Sequence, residues 1–310
     1  MTPATSNLTI NFEAIDRSLS EGAVLRPVEG GYATTQRGIL TLEDGNTIFV
    51  KRAIDPVTQK GLEKEAALYT ALAEIDYPHI PDFAHYQKDT LILPDLSDWD
   101  WSPQWGDAKF NAILHAQAAL PRIRLPSTTT HLLRHEYSDV LVGRWGRLTE
   151  PTQWDAIRRL GEHLDEDVGI LEELTQDDRV AFNTSITVDD FDKGELIHGD
   201  IRSDNVAYNP RTNETALVDW DWAEYACASL GRTAFVTAVC FDIAKYGSAD
   251  TLTIDEYRKY ADPLSAIALA GYFLTEAGKP PVKPGSLGHL RRVQQFKRGL
   301  IATELYTTLA

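Results

Sequence analysis

His198-Gly199-Asp200-Ile201-Arg202-Ser203-Asp204-Asn205, followed by Asp219-Trp220-Asp221, is the stretch on which the reading of this chain turns. An acid, an amide five residues on and a second acid fourteen residues beyond that are the polar groups that phosphoryl transfer to a hydroxyl requires. In that chemistry Asp200 accepts or orients the acceptor hydroxyl, while Asn205 and Asp219 hold Mg²⁺ on nucleotide phosphates. The flanks agree. Glu195-Leu196-Ile197 leads in with a short apolar pair, and Glu214-Thr215-Ala216-Leu217-Val218 reads as a buried strand delivering Asp219 to a metal. The acid-to-amide spacing alone is common; the histidine and glycine before Asp200 and the strand before Asp219 make it specific.

Composition sets the bounds. At 310 residues the chain can form two lobes and bury a sizeable core. It is 43% hydrophobic and 25% charged, without repeats or low-complexity tracts, as a globular protein should be. The first residues have neither a basic nor an apolar region of the signal-peptide kind. The longest apolar stretch, Leu264 to Leu274, is interrupted by Ser265, Gly271 and Tyr272 and is too short to span a bilayer. Cys227 and Cys240, the only cysteines, cannot make a disulfide framework or a cysteine metal site. A soluble, cytoplasmic protein is therefore expected. The net charge of −16 argues against a nucleic-acid partner. It either keeps the surface soluble, the simpler meaning, or draws in a cationic acceptor such as an amino sugar or quaternary amine.

The two polar segments resemble the catalytic loop and metal-binding segment of the aminoglycoside phosphotransferase and choline kinase-like superfamily, small-molecule kinases with the protein-kinase fold. The likeness runs from about Pro27 to Asp221 and is specific for fold and reaction type, not for substrate. It implies an α+β, two-lobed fold. Residues 1–95 would form an N-lobe of antiparallel sheet plus one helix, and residues 96–310 a mainly helical C-lobe carrying the catalytic loop, metal site and acceptor site. It implies Mg²⁺ as cofactor, ATP or GTP as co-substrate and a small-molecule alcohol as acceptor, with no membrane partner and no indication of oligomeric state. A nucleotide-binding pseudokinase is the alternative, but such proteins usually lose the base, a metal ligand or the strand lysine, and all are present.

The rest of the N-lobe fits this order. Gly30-Gly31 would let backbone approach the nucleotide phosphates. A strand from Arg37 to Leu42, a turn at Glu43-Asp44-Gly45-Asn46 and a strand Thr47 to Lys51 follow. Gly61 to Ala73 has helical apolar spacing. In a kinase the strand lysine pairs with a helix glutamate and grips phosphates; Lys51 would do so with Glu65, Glu63 being the fallback. Asp89 to Leu96 resembles the family's hinge, where the carbonyl of Pro94 and the N–H of Leu96 would meet the purine.

Beyond it, three tryptophans alternate with acids in the loop Ser97 to Trp105, read as indoles anchoring the loop while the acids face solvent, an aromatic wall for a cation being the alternative. Asp107 is expected to cap a helix reaching Leu120, and Thr152 to Leu174 to form one long helix. His131 and His135 have helical metal-ligand spacing but no third ligand, and read as surface histidines. Val188 to Lys193 reads as a solvated acidic loop. One departure from the family stands out. A glycine and then an aspartate usually follow the metal segment there and brace the catalytic loop, whereas Tyr225 to Phe241 contains no acid.

Overall fold

The computed structural model describes residues 15, 25–28, 35–82, 84–133, 136–250, 253–280 and 283–310. The chain divides into two compact units, Met1–Asp98 and Trp99–Ala310.

The first unit is built on an antiparallel sheet of β1 (Arg26–Pro27), β2 (Gln36–Thr41), β3 (Thr47–Arg52), β4 (His85–Gln87) and β5 (Thr90–Pro94), in the order β1-β2-β3-β5-β4. The β2–β3 turn closes because Gly45 takes a φ of +84° and the Asp44 carboxylate accepts the N–H of Asn46. Register pairs Arg37 with Lys51 and Lys51 with Leu91. Alternation then separates the faces. Leu40, Ile48, Val50 and Ile92 pack with Ile15 on one side, and Lys51 points to the other. There runs α1 (Pro56–Glu74), which begins five residues earlier than its apolar spacing predicts. The start is fixed by a capping box between Asp55 and Thr58 and by Pro56 in the first turn. Leu62, Glu65, Leu68, Tyr69 and Leu72 form its buried stripe.

The second unit is mainly helical. It runs α2 (Asp107–Ala119), α3 (Ser127–Thr130), α4 (Glu136–Leu141), α5 (Arg144–Leu148), α6 (Pro151–His163), α7 (Gly169–Glu172), α8 (Gln176–Ser185) and α9 (Val188–Phe191). Strands β6 (Glu195–Ile197), β7 (Val206–Asn209), β8 (Glu214–Leu217) and β9 (Glu224–Ala226) follow, pairing antiparallel as β6–β9 and β7–β8. The chain ends with α10 (Ala228–Tyr246), α11 (Ile254–Arg258), α12 (Pro263–Ala277) and α13 (Leu287–Leu309). Trp145, Phe191, Leu230, Leu274 and Phe296 belong to its core. Both cysteines are buried and free. Among the described residues no helix is long and apolar enough to cross a membrane.

Three expectations are corrected. The long helix from Thr152 to Leu174 is two helices. Asp165, with φ 54°, ends α6 in a left-handed cap, where the N–H of Glu166 reaches the carbonyl of Gly161 and that of Asp165 reaches Glu162. The chain folds back so closely that a Cβ on Gly161 would lie 2.3 Å from a Val168 methyl and 2.8 Å from the Phe296 ring. Leu160, Leu164, Val168 and Leu171 therefore share one core through a turn rather than one helix face. The acidic stretch from Val188 contains a helical turn, with a Thr187–Asp190 capping box and Phe191 fully buried. Finally, Gly106 rather than Asp107 is the N-cap of α2, and the Asp250 carboxylate accepts the Asp107 N–H.

Candidate active site

In the first unit Lys51 and Glu65 are both buried, at 7% and 1% exposure, and meet at 2.8 Å. The second oxygen of Glu65 accepts the Tyr69 hydroxyl, one turn on, at 3.1 Å. Each partner sits on a regular element, so the pair keeps little side-chain freedom. Pro94 closes β5 opposite Ile48, a place where its missing N–H is tolerated, and Leu96 lies just beyond, half-buried. Gly30 and Gly31 lie outside the described residues.

In the second unit the loop from His198 to Asn205, expected to be catalytic, leaves β6 at Ile197 and is held by main-chain atoms. Nε2 of buried His198 contacts the Val218 carbonyl at 3.0 Å, and the Asp200 N–H approaches Nδ1 at 3.4 Å. A carbonyl only accepts, so Nε2 carries the proton and Nδ1 is bare. Burial pushes the His198 pKa down to about 4, against the pull of Asp219, which fits that neutral ring. The ring packs on Trp220 with centroids 4.4 Å apart. Gly199 turns the chain with φ +78°, and a Cβ there would stand 2.3 Å from the Trp222 carbonyl oxygen. No other residue fits.

The structure brings Asp200 and Asn205 into contact. The Asn205 amide donates to the Asp200 carbonyl at 2.8 Å and to its Oδ2 at 3.0 Å. Asn205 is 3% exposed, and its own carbonyl accepts the N–H of Val218 at 3.0 Å. Val218 thus holds both ends of the loop through its two backbone groups, and the next residue is Asp219. Asp219 adopts a left-handed φ of 66°, at the start of a single turn from Trp220 to Trp222 pinned by Trp220 Nε1 on the Leu217 carbonyl. Such backbone is costly outside glycine, though aspartate tolerates it better than most.

Arg202 is buried, with Nε 2.8 Å from Asp204 and 3.4 Å from Oδ2 of Asp200. Crowding by protein raises the Asp200 pKa to about 6, while Arg202 and then Arg298 oppose the rise. The 29% of its side chain left open to solvent also holds the shift in check. Its hydrogen bond and ion pair both fall on Oδ2, so Oδ1 is the oxygen left for a substrate hydroxyl.

The missing brace has a counterpart that sequence reasoning overlooked. Asp242, one residue past the acid-free window and 4% exposed, accepts the Trp105 Nε1–H at 3.0 Å, and the Ser203 side chain lies near enough to lower its pKa. It therefore ties α10 to the tryptophan loop, close to the loop that carries Asp200. Burial pushes its pKa up, against the pull of those two groups. The signal was an acid inside an otherwise apolar helix, Ala234 to Ile243, where carboxylates are rarely buried without a partner.

Trp105 is fully buried, while Trp99 and Trp101 are half-buried. Asp100 is not a solvated acid. It takes the buried Lys109 ammonium at 3.3 Å, and its backbone pairs with Tyr208 of β7. His131 is exposed, and His135 lies outside the described residues.

The donor chemistry of the site suits a hard cation. With its amide nitrogen committed to Asp200, Asn205 offers only oxygen, as Asp219 does, and Mg²⁺ prefers oxygen ligands from one or two side chains with substrate phosphates completing the shell. Among the described residues no group of three or more His, Cys, Asp or Glu forms an all-protein cage.

No family model matches the chain, and no curated protein matches its sequence. Solved structures do match its fold. An ethanolamine kinase of Plasmodium vivax superposes with a TM-score of 0.53 at 12% identity, covering 97% of this chain and 86% of the other. An aminoglycoside phosphotransferase of Alicyclobacillus acidocaldarius gives 0.51 at 13% identity, covering 94% and 95%. A thermostable mutant of another aminoglycoside phosphotransferase gives 0.51 at 14%, covering 94% and 97%. The α+β fold expected from the two polar segments is thus the fold of protein-kinase-like small-molecule phosphotransferases.

Proposed function

We propose that this chain is a Mg²⁺-dependent phosphotransferase that moves the γ-phosphate of ATP or GTP to a hydroxyl of a small molecule. The observation that carries this reading is the join at Val218. One residue fixes His198, Asn205 and the approach of Asp219, so the acceptor carboxylate and both oxygen ligands belong to one backbone-held cluster. The neighbours named above as ethanolamine and aminoglycoside kinases support the same reaction type.

Lys51, fixed by Glu65, would take the nucleotide phosphates, and Pro94 and Leu96 would meet the purine with backbone groups. Asn205 and Asp219 would hold Mg²⁺, which neutralises charge on the phosphates. Asp200 orients the acceptor hydroxyl through Oδ1, its other oxygen being held by Asn205. His198 keeps the loop in place and stays neutral, so it moves no proton. Catalysis by such a site is mainly positioning and charge neutralisation. A cytoplasmic location, where nucleotide and Mg²⁺ are both supplied, follows from this reading. The expectation of a cationic acceptor rests on the net charge of −16 alone.

Melting curves with ATP or GTP, each with and without Mg²⁺, test the proposal. A rise in melting temperature that needs Mg²⁺, and that is lost in Asp219→Ala, is expected; no nucleotide-dependent rise under any condition would refute it.

A further inference from the structure

The last helix presents charge of the opposite sign to the whole chain. Arg291, Gln295 and Arg298 stand four and three residues apart on α13, a spacing that puts them on one flank. The Arg298 guanidinium lies over the Phe241 ring at 5.2 Å, next to Asp242, and its charge lowers the pKa values of both Asp242 and Asp200. It is therefore within electrostatic reach of the proposed catalytic carboxylate. Burial and the Glu276 charge push the pKa of Tyr272 on α12 up, Asp200 adds slightly to that rise, and Arg291 and Arg144 oppose it; Arg144 lies over the ring at 5.4 Å and is ion-paired to Glu276 at 3.1 Å.

An arginine present only to offset acids would pair with one of them. Arg298 forms no ion pair and no hydrogen bond with any described residue, and its buried Nε is unsatisfied. The buried Oε1 of Gln295, one turn earlier, is unsatisfied too. A buried polar atom without a partner on the chain can take a bound group, and on this flank two of them lie one turn apart. A guanidinium N–H calls for an anion, with a planar fork that suits carboxylate or phosphate. An amide oxygen calls for a hydroxyl. An ammonium group placed here would instead meet Arg298 and Arg291 as like charges.

We propose that Arg298, with Arg291 and Gln295, forms the acceptor subsite, and that the acceptor is a small hydroxylated anion whose carboxylate or phosphate rests on Arg298 while its hydroxyl reaches Asp200. The inference rests on the phosphotransferase reading above. The acceptor oxygen bonds to the γ-phosphorus and the bond from that phosphorus to the bridging oxygen breaks. The electron pair leaves with the nucleoside diphosphate, and the hydroxyl proton passes to Asp200.

The test uses the full chain with Mg²⁺ and whichever nucleotide raises its melting temperature. Nucleoside diphosphate release is followed with glycerate, a glycerol phosphate, a hexose phosphate, glucose, glucosamine and choline. Turnover is expected on an anion, the carboxylate and phosphate arms telling the two headgroups apart. Arg298→Gln should raise the KM for that anion about 10- to 100-fold, the loss of a charge-assisted hydrogen bond, and leave the nucleotide KM unchanged. Arg298→Lys should recover part of the loss, and Arg291→Gln, on an exposed position, should raise KM without changing the melting temperature. Turnover confined to amines or neutral sugars overturns the proposal. So does the absence of both turnover and a melting shift with every anion while Mg²⁺-nucleotide still binds. Failure of nucleotide binding itself would instead bring down the phosphotransferase reading, and this inference with it.

Discussion

Two sets of polar side chains in this molecule are built in opposite ways. Lys51 and Glu65 sit on a strand and a helix and satisfy each other at 2.8 Å, with Tyr69 taking the remaining carboxylate oxygen. Asp200, Asn205 and Asp219 sit on loops and single turns, held by the main chain of Val218. The first set is complete without a ligand. The second holds its carboxylates crowded together, with one oxygen of Asp200 unused and its pKa raised to about 6. A self-satisfied pair can be held by regular elements; carboxylates set close together away from water need a pinned loop to hold them.

The contrast can be broken most strongly at the complete pair. Lys51→Ala leaves Glu65 buried without its cation and should destabilise the protein by about 3–5 kcal/mol, measured as a lower denaturant midpoint. Adding Glu65→Leu should recover part of that loss, since the stranded charge rather than the missing pair is the larger cost. A single variant as stable as wild type would show that the pair is no structural unit. Asp200→Asn should behave in reverse, cutting kcat by at least about 10²-fold with little change in nucleotide affinity or stability. Near-normal kcat on an accepted substrate would remove Asp200 from the mechanism.

Asp242→Ala tests the brace. It strands the Trp105 N–H and should cost about 1–3 kcal/mol of stability, lowering kcat more than nucleotide affinity. Asp242→Asn, which keeps an acceptor, should restore most of both, and equal damage from the two variants would assign Asp242 to packing alone. The smallest effect is in pH. His198 binds its proton only near pH 4 when folded but near 6.5 when unfolded, so its contribution to stability falls as pH drops through that window. Asp200 is raised from 3.8 to about 6, so its contribution rises as pH drops through nearly the same window. The two oppose each other. In Asp200→Asn the offset is gone, and chemical denaturation between pH 6.5 and 4 should show a steeper acid loss of stability than in wild type.

What was legible in the sequence was what the chain encodes locally. The catalytic loop, the strand before Asp219 and the Lys51–Glu65 spacing lie within runs of a few to fourteen residues, and strand alternation fixes the face Lys51 takes. The break after His163 was hidden because apolar spacing continues through it; only Asp165 and Gly161 mark the turn, and neither is a strong stop signal by itself. The brace was hidden for a different reason. Asp242 meets Trp105 across 137 residues, and no periodicity reports a contact of that length. The sheet's glycine turn, with Gly30 and Gly31, lies outside the described residues.

That long contact has a consequence for the order in which the protein matures. A chain is made from its N-terminus and folds in part as it emerges. Strands β6 to β9 and the acids between them leave the ribosome before Asp242 does, and helix α10 must form before the carboxylate can reach Trp105 and Ser203. Until then the tryptophan loop lacks its tether to α10. The nascent chain can therefore complete the Lys51–Glu65 pair well before the tryptophan loop is tied down, and that tie forms only when most of the second unit has been synthesised.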